Sequence, residues 1–164
     1  MTNIIVKTFD TIYNYARANA LSPFVFTNSC CEQELTKIKS ENSPKQADLL
    51  IIAGIINHKN APVLLRIYEQ MPEPKYVMAI GDCACNGGKF KTNNYTVIKG
   101  VEKIIPVDVS IEACPPSEED IKNAFKILKE KIKSETITKR KEYIDTHKTE
   151  LEYKSYLDIL TKNK

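Results

Sequence analysis

Asp48-Leu49-Leu50-Ile51-Ile52-Ala53-Gly54 is an unbroken apolar run that closes on glycine. A short run rich in Ile and Leu, with no polar alternation, reads as a strand buried on both faces. That is the situation of a central strand in a parallel sheet. Tyr76-Val77-Met78-Ala79-Ile80-Gly81 repeats the pattern. Working outward, Pro23 to Thr27 is a shorter apolar strand, and Lys103 to Ile111 reads as a fourth. Between strands the period changes. Asn60 is placed to cap a helix with Pro62 in its first turn and Leu64, Leu65 and Tyr68 on its inner face. Ser117 with Asp120 three residues on is a capping-box pattern, and Ile121, Ala124, Leu128 and Ile132 follow on one helical face. Strands alternating with helices predict an α/β domain, a mostly parallel sheet flanked by helices.

The ends differ from this middle. Ile5, Phe9, Ile12, Ala16 and Ala20 predict an amphipathic N-terminal helix over 3–20. It precedes the sheet, so it either packs on its own domain or docks on a partner or membrane surface. Residues 135–164 form a charged tail with Ile137, Ile144, Leu151, Leu157 and Leu160 scattered along it, and read as largely helical. The expected organisation is thus one domain over 1–134 followed by this tail. Residues 32–46 read as a short helix or loop, 86–94 as a Gly/Asn-rich loop, and 97–101 is ambiguous.

Bulk properties narrow the function. A chain of 164 residues suffices for one domain. It buries enough surface that a metal would be functional and not a prop for the core. The net charge of +3 is made of interspersed acids and bases, without the basic stripe of a nucleic-acid binder. No 18-residue apolar run spans a membrane, and no secretory signal opens the chain. The expected place is the cytoplasm, where thiols stay reduced. Five cysteines there read as metal ligands or buried residues. His58 and His147 are too few and too distant for a histidine site.

Cys30 and Cys31 follow the first strand, Cys83 the strand Tyr76–Ile80, and Cys114 the last strand. Loops at the C-terminal ends of parallel strands share one edge of the sheet. Four thiols in three segments therefore meet at that edge, and four thiolates are what a [4Fe–4S] cluster takes. Spacing alone leaves three readings: a Cys-only metal centre, buried structural cysteines, or catalytic thiols without a histidine to activate them. Neighbouring side chains point apart in extended chain, so Cys30 and Cys31 serve one centre only across a sharp, strained turn. Cys85 is a spare or a substitute ligand. Glu34, three residues after Cys31, and Glu112, two before Cys114, are candidates for a proton coupled to reduction and otherwise surface carboxylates. Phosphate-binding glycine motifs are absent. A non-redox Cys₄ zinc site is the alternative from another class, although such sites usually use C-x₂₋₄-C pairs.

Several stretches together resemble a known family. They are Ala16-Arg17-Ala18-Asn19-Ala20-Leu21-Ser22-Pro23, Cys30-Cys31-x-x-Glu34, Pro44-Lys45-Gln46-Ala47-Asp48, Met71-Pro72-Glu73-Pro74-Lys75, Gly81-Asp82-Cys83-Ala84, Gly87-Gly88 and Cys114-Pro115-Pro116. The chain resembles the small, cluster-bearing subunit shared by respiratory complex I and the [NiFe]-hydrogenases, the complex I branch being the closer. The likeness covers roughly residues 12–132. It implies a flavodoxin-like fold with one [4Fe–4S] cluster on Cys30, Cys31, Cys83 and Cys114, and makes Cys85 the spare. It also implies an electron relay that does no catalysis alone. The implied partners are a large catalytic subunit, a ferredoxin-like iron–sulfur subunit and membrane subunits on the cytoplasmic face.

The departures from the family pattern are informative. Only residues 32–43 separate the tandem cysteines from Pro44, where complex I members carry a longer stretch with a Tyr-Asp…Arg-Phe-Gly segment near the quinone site. That loss favours a membrane-bound, energy-converting hydrogenase type over a quinone-linked dehydrogenase. Ser22 stands where a tryptophan is usual, Ala113 for a glycine and Ser117 for an arginine.

Overall fold

A computed structural model describes residues 2–90, 92, 95–135, 140, 142 and 143, with the backbone alone for residues 2–9. Four strands, β1 (Pro23–Thr27), β2 (Leu49–Ala53), β3 (Tyr76–Ile80) and β4 (Val109–Ile111), pair in that order, all parallel. Helices accompany them: α1 (Thr2–Asn19), α2 (Glu32–Leu35), α3 (Ala61–Gln70), α4 (Asp82–Asn86) and α5 (Glu118–Ser134). The α/β architecture read from the sequence is the one observed.

β2 and β3 are buried at every residue, because both of their faces are covered. Leu50, Ile52, Val77 and Ala79 pack with Ala61, Leu64 and Tyr68 of α3 and with Val101, Ile104 and Ile105. Leu49, Ile51, Tyr76, Met78 and Ile80 pack on the other face with Ala18 of α1, Leu35 of α2 and the Ile121, Ala124, Leu128, Ile132 stripe of α5. Each such large side chain contributes roughly 1.5–3 kcal/mol by leaving water. The capping box at the start of α5 forms in both directions between Ser117 and Asp120.

Several local expectations are corrected. β4 has three residues in place of nine, because Pro106 lacks a ladder donor and Val101–Lys103 coil into a 3₁₀ turn instead. Asn60 has helical dihedrals and makes no side-chain cap. Asn57 Oδ1 accepts from the N–H groups of Lys59 and Asn60 at 3.0 and 2.8 Å. The start of the Gly/Asn-rich segment is helical, ending α4 and entering a 3₁₀ turn at Gly88–Phe90. Its residues 91, 93 and 94 lie outside the described residues.

Where its side chains are described, from residue 10 on, α1 turns its expected inner face outward. Ile12 is 65% exposed, and Ala16 and Ala20 are exposed, whereas Asn14 and Ala18 are buried. Polar anchors decide the rotation. The Asn14 side-chain amide donates to the Glu135 carbonyl. Arg17 donates to the Tyr76 hydroxyl at 3.2 Å and lies 5.5 Å from the ring centre. In the tail, Arg140, Glu142 and Tyr143 have helical backbone. The rest of it, including Ile137, Ile144, Leu151, Leu157 and Leu160, lies outside the described residues. Among the described residues no helix is long and apolar enough to cross a membrane.

Candidate metal centre

β1, β3 and β4 each release a cysteine segment at the same end of the sheet, while β2 between them ends on Gly54. Gly54 has φ +103°, and a Cβ there would lie 2.1 Å from Asn28 Oδ1 and 2.8 Å from Ser29 Oγ. Only glycine lets the loop carrying the tandem cysteines sit this close to β2.

The tandem cysteines occupy a tight turn closed by the Glu32 N–H donating to the Ser29 carbonyl at 3.0 Å. Cys31 has φ −67° and ψ −11°, an ordinary right-handed conformation. The sharp turn is therefore present without the strain expected of it at Cys31. Cys30 is exposed and Cys31 buried. Cys83 sits in α4, half-buried, and Cys114 is exposed ahead of a cis bond to Pro115.

Cys31 and Cys83 both feel the neighbouring thiols. Burial pushes the Cys31 thiol up to about 11, and Cys30, then Cys114, then Cys83 add to the rise. Cys83 is raised by burial, then by Cys114, Cys30 and Asp82. Thiols in three separate segments thus crowd into one electrostatic neighbourhood, where ionising Cys31 or Cys83 beside another thiolate is disfavoured. A cationic metal centre relieves that repulsion and fixes the thiolate form.

Two glycines line the same place. A Cβ on Gly81 (φ +91°) would lie 3.0 Å from Cys31 Sγ, and one on Gly88 (φ +54°) 2.9 Å from Cys83 Sγ. The main chain is therefore drawn up to two of the sulfurs. Ser29 Oγ, beside Cys30, is buried without a hydrogen-bond partner. Four thiols, close backbone and an orphaned hydroxyl fit the requirements of an iron–sulfur cluster, which takes Cys₄ ligation and hydrogen bonds to its sulfurs. Among the described residues no three His, Cys, Asp or Glu side chains close on a single-ion site. A four-iron cluster gives each thiolate its own iron, so the sulfurs need only surround it.

Cys85 belongs elsewhere. Its thiol donates to the Ile111 carbonyl at 3.4 Å and the Ala79 carbonyl at 3.7 Å. Burial pushes it up to about 11 against the Ile111 hydrogen bond, and the acids Glu112, Asp82 and Glu102 add to the rise. Cys85, Asn86, Glu102, Glu112 and Tyr143 line a cleft of about 550 Å³ along β4, which none of the other four cysteines lines. Glu34 is half-buried on α2, just beyond Cys31. The sequence reading missed the helical turn α4, and with it the Asp82–Asn86 contact. Their spacing of four is the signal, legible only once the segment is known to be helical.

An α/β domain with a cysteine-rich C-terminal sheet edge is the class that fold and site define. The chain matches the family described as NADH ubiquinone oxidoreductase, 20 Kd subunit, over residues 7–128, and it belongs to that family. NAD(P)H-quinone oxidoreductase subunit K of Parasynechococcus marenigrum is 39% identical over 158 residues, covering 89% of this chain and 64% of its own. Subunit K of Nostoc punctiforme is 42% identical, with the same coverage of 89% and 64%. The chain thus spans just under two thirds of the length of these curated relatives. A chain from the structure of the membrane-bound sulfane sulfur reductase, an archaeal respiratory membrane complex, superimposes with a TM-score of 0.71 at 28% identity. That match covers 93% of this chain and 96% of the other.

Proposed function

We propose that this protein is an electron-relay subunit that holds one [4Fe–4S] cluster through Cys30, Cys31, Cys83 and Cys114, within a membrane-associated oxidoreductase complex. The observation that carries the reading is the geometry: four cysteines drawn from three segments to one sheet edge, with Gly81 and Gly88 against two of the sulfurs. The cluster, when bound, supplies one-electron carriage. The residues of this chain hold it, shield it on the Cys31 side, and leave Cys30 and Cys114 toward the surface. A relay needs such a face, because an electron must pass to a centre on another subunit. The domain over 1–134 serves as the carrier, and the tail over 135–164 together with the outward stripe of α1 serves docking. Glu34 is the acid assigned to a proton coupled to reduction, and Glu34→Gln is expected to flatten the pH dependence of the midpoint potential.

The complex is of the short, energy-converting kind, on the cytoplasmic face of its membrane and held there by partner subunits. The short 32–43 segment supports a hydrogenase-type large subunit, and the end-to-end match to a chain of the archaeal sulfane sulfur reductase complex supports a short, membrane-bound assembly. A quinone-linked dehydrogenase is the second reading, favoured by the names of the relatives at 39% and 42% identity. Anaerobic purification with iron and sulfide analysis and EPR tests the relay. About four irons and a reducible S = 1/2 signal support it, and zinc or no metal after reconstitution refutes it. Co-purification then separates the two complexes. A large subunit with two C-x-x-C motifs marks the hydrogenase type, and inhibition of the assembled complex by quinone analogues marks the other.

A further inference from the structure

The carboxylate of the residue preceding one of the four thiols is held by a chain of hydrogen bonds that the relay reading leaves unused. Asp82 opens α4 directly before Cys83. Its Oδ1 accepts from Asn86 Nδ2 at 2.6 Å. Asn86 Oδ1 in turn accepts from the Gly88 N–H at 2.9 Å. Gly88 is the residue whose Cβ would lie 2.9 Å from Cys83 Sγ and 3.3 Å from Cys83 Cα. One amide side chain therefore fixes both the carboxylate and the backbone that lies on the sulfur. Asp82 and Asn86 are half-buried and Gly88 is buried. A charge held rigidly and partly out of water acts over a short range with little screening.

We propose that Asp82, locked by Asn86, is a fixed negative charge that lowers the reduction potential of the group held by the four thiolates. The inference rests on the electron-relay reading above. Reduction adds one electron to that group and makes or breaks no bond, so a neighbouring negative charge opposes it directly. Net charge and hydrogen bonding to the sulfurs are the levers by which a protein sets such potentials. The same carboxylate acts on Cys83 in the sense a nearby anion must.

The test uses the full-length chain, purified anaerobically, reconstituted with ferrous iron and sulfide, and titrated with dithionite under EPR. Asp82→Asn and Asp82→Ser remove the charge. Each is expected to raise the midpoint potential by about 59 mV or more, a tenfold change in a one-electron equilibrium. Asp82→Glu keeps the charge and breaks the 2.6 Å geometry, and is expected to stay near the wild-type value. A purely structural role for Asp82 would move the glutamate variant as far as the other two. That pattern overturns the proposal, as does an unmoved potential in the neutral variants. Loss of iron from both neutral variants with full iron in the wild type also overturns it, because the carboxylate would then be needed for assembly. A wild-type protein that takes up no iron defeats the relay reading itself and the proposal with it.

Discussion

Gly81 and Cys31, fifty residues apart in the chain, are in contact: a Cβ on Gly81 would stand 3.0 Å from Cys31 Sγ. Gly81 also has φ +91° and donates its N–H to the Ile111 carbonyl at 2.8 Å. It thereby joins the segments of β1, β3 and β4 that bear the cysteines. Gly81→Ala is expected to cost about 1–3 kcal/mol in backbone strain and to push Cys31 out of place. Iron bound per chain after reconstitution should fall, and urea unfolding should report the strain.

Cys85 and Cys114 should separate cleanly. Cys85 is engaged with the Ala79 and Ile111 carbonyls. Cys85→Ser is expected to keep about four irons and an unchanged EPR signal. Cys114→Ser should lose the native signal. Iron uptake should also tighten as pH rises, because a thiol pushed up to about 11, as Cys31 is, must shed its proton to bind metal. Proton release measured on reconstitution checks the sign.

Asp108 and Arg140 anchor the tail to the sheet. The Asp108 side chain is fully buried and the Arg140 side chain nearly so. Arg140 Nη2 donates to Asp108 Oδ2 at 2.6 Å and also reaches the Lys75 carbonyl, with its guanidinium carbon 4.4 Å from the Tyr76 ring centre. Removing one partner strands a buried charge, which typically costs 3–5 kcal/mol. Lys131 at 2.8 Å and the Val77 N–H at 3.0 Å still serve Asp108, so Arg140→Met should cost about 3 kcal/mol. Adding Asp108→Asn should recover part of that loss in urea denaturation.

Asp48 gives a pH signature. Burial raises its pKa from 3.8, although the Ser22 N–H donates to Oδ1 at 2.7 Å. A carboxyl raised on folding contributes stability below its unfolded value, and that contribution is lost as pH rises through the folded value. Asp48→Asn keeps an acceptor for Ser22 and removes the desolvated charge. It should gain less than about 1 kcal/mol at pH 7, the group being only half-buried, and the gain should vanish below pH 3.8. Chemical denaturation at the two pH values measures the difference.

The outward stripe of α1 predicts an interface. Ile12 and Tyr15 are 65% and 60% exposed. Ile12→Asp should change stability by no more than about 0.5 kcal/mol, as surface substitutions do, while co-purification of partner subunits drops. Full retention of the partners would refute the docking role.

The strands were legible because burial on both faces leaves no polar residue in Leu49–Ala53 or Tyr76–Ile80. The α5 start was legible because capping is local chemistry, written in Ser117 and Asp120. α1 was legible as a helix but not in its orientation. Its rotation is set by Asn14 and Arg17 reaching Glu135 and Tyr76, residues distant in sequence. β4 was overextended because Ile104 and Ile105 are buried in either reading, and hydropathy does not distinguish a strand from a 3₁₀ turn.

The sequence by itself determined the α/β alternation, the family, and the three segments in which cysteines follow strands. It did so because each depends on residue type and spacing along the chain. Only the tertiary structure decided that Gly81 and Gly88 carry backbone up to the sulfurs, that Cys85 turns away, and that Asp82 is locked beside Cys83. The Gly81–Cys31 and Cys85–Ile111 contacts depend on distances across strand ends, set by how the parallel strands pack, and the Asp82–Asn86–Gly88 contacts on the helical turn the chain makes there, neither of which residue type alone reveals.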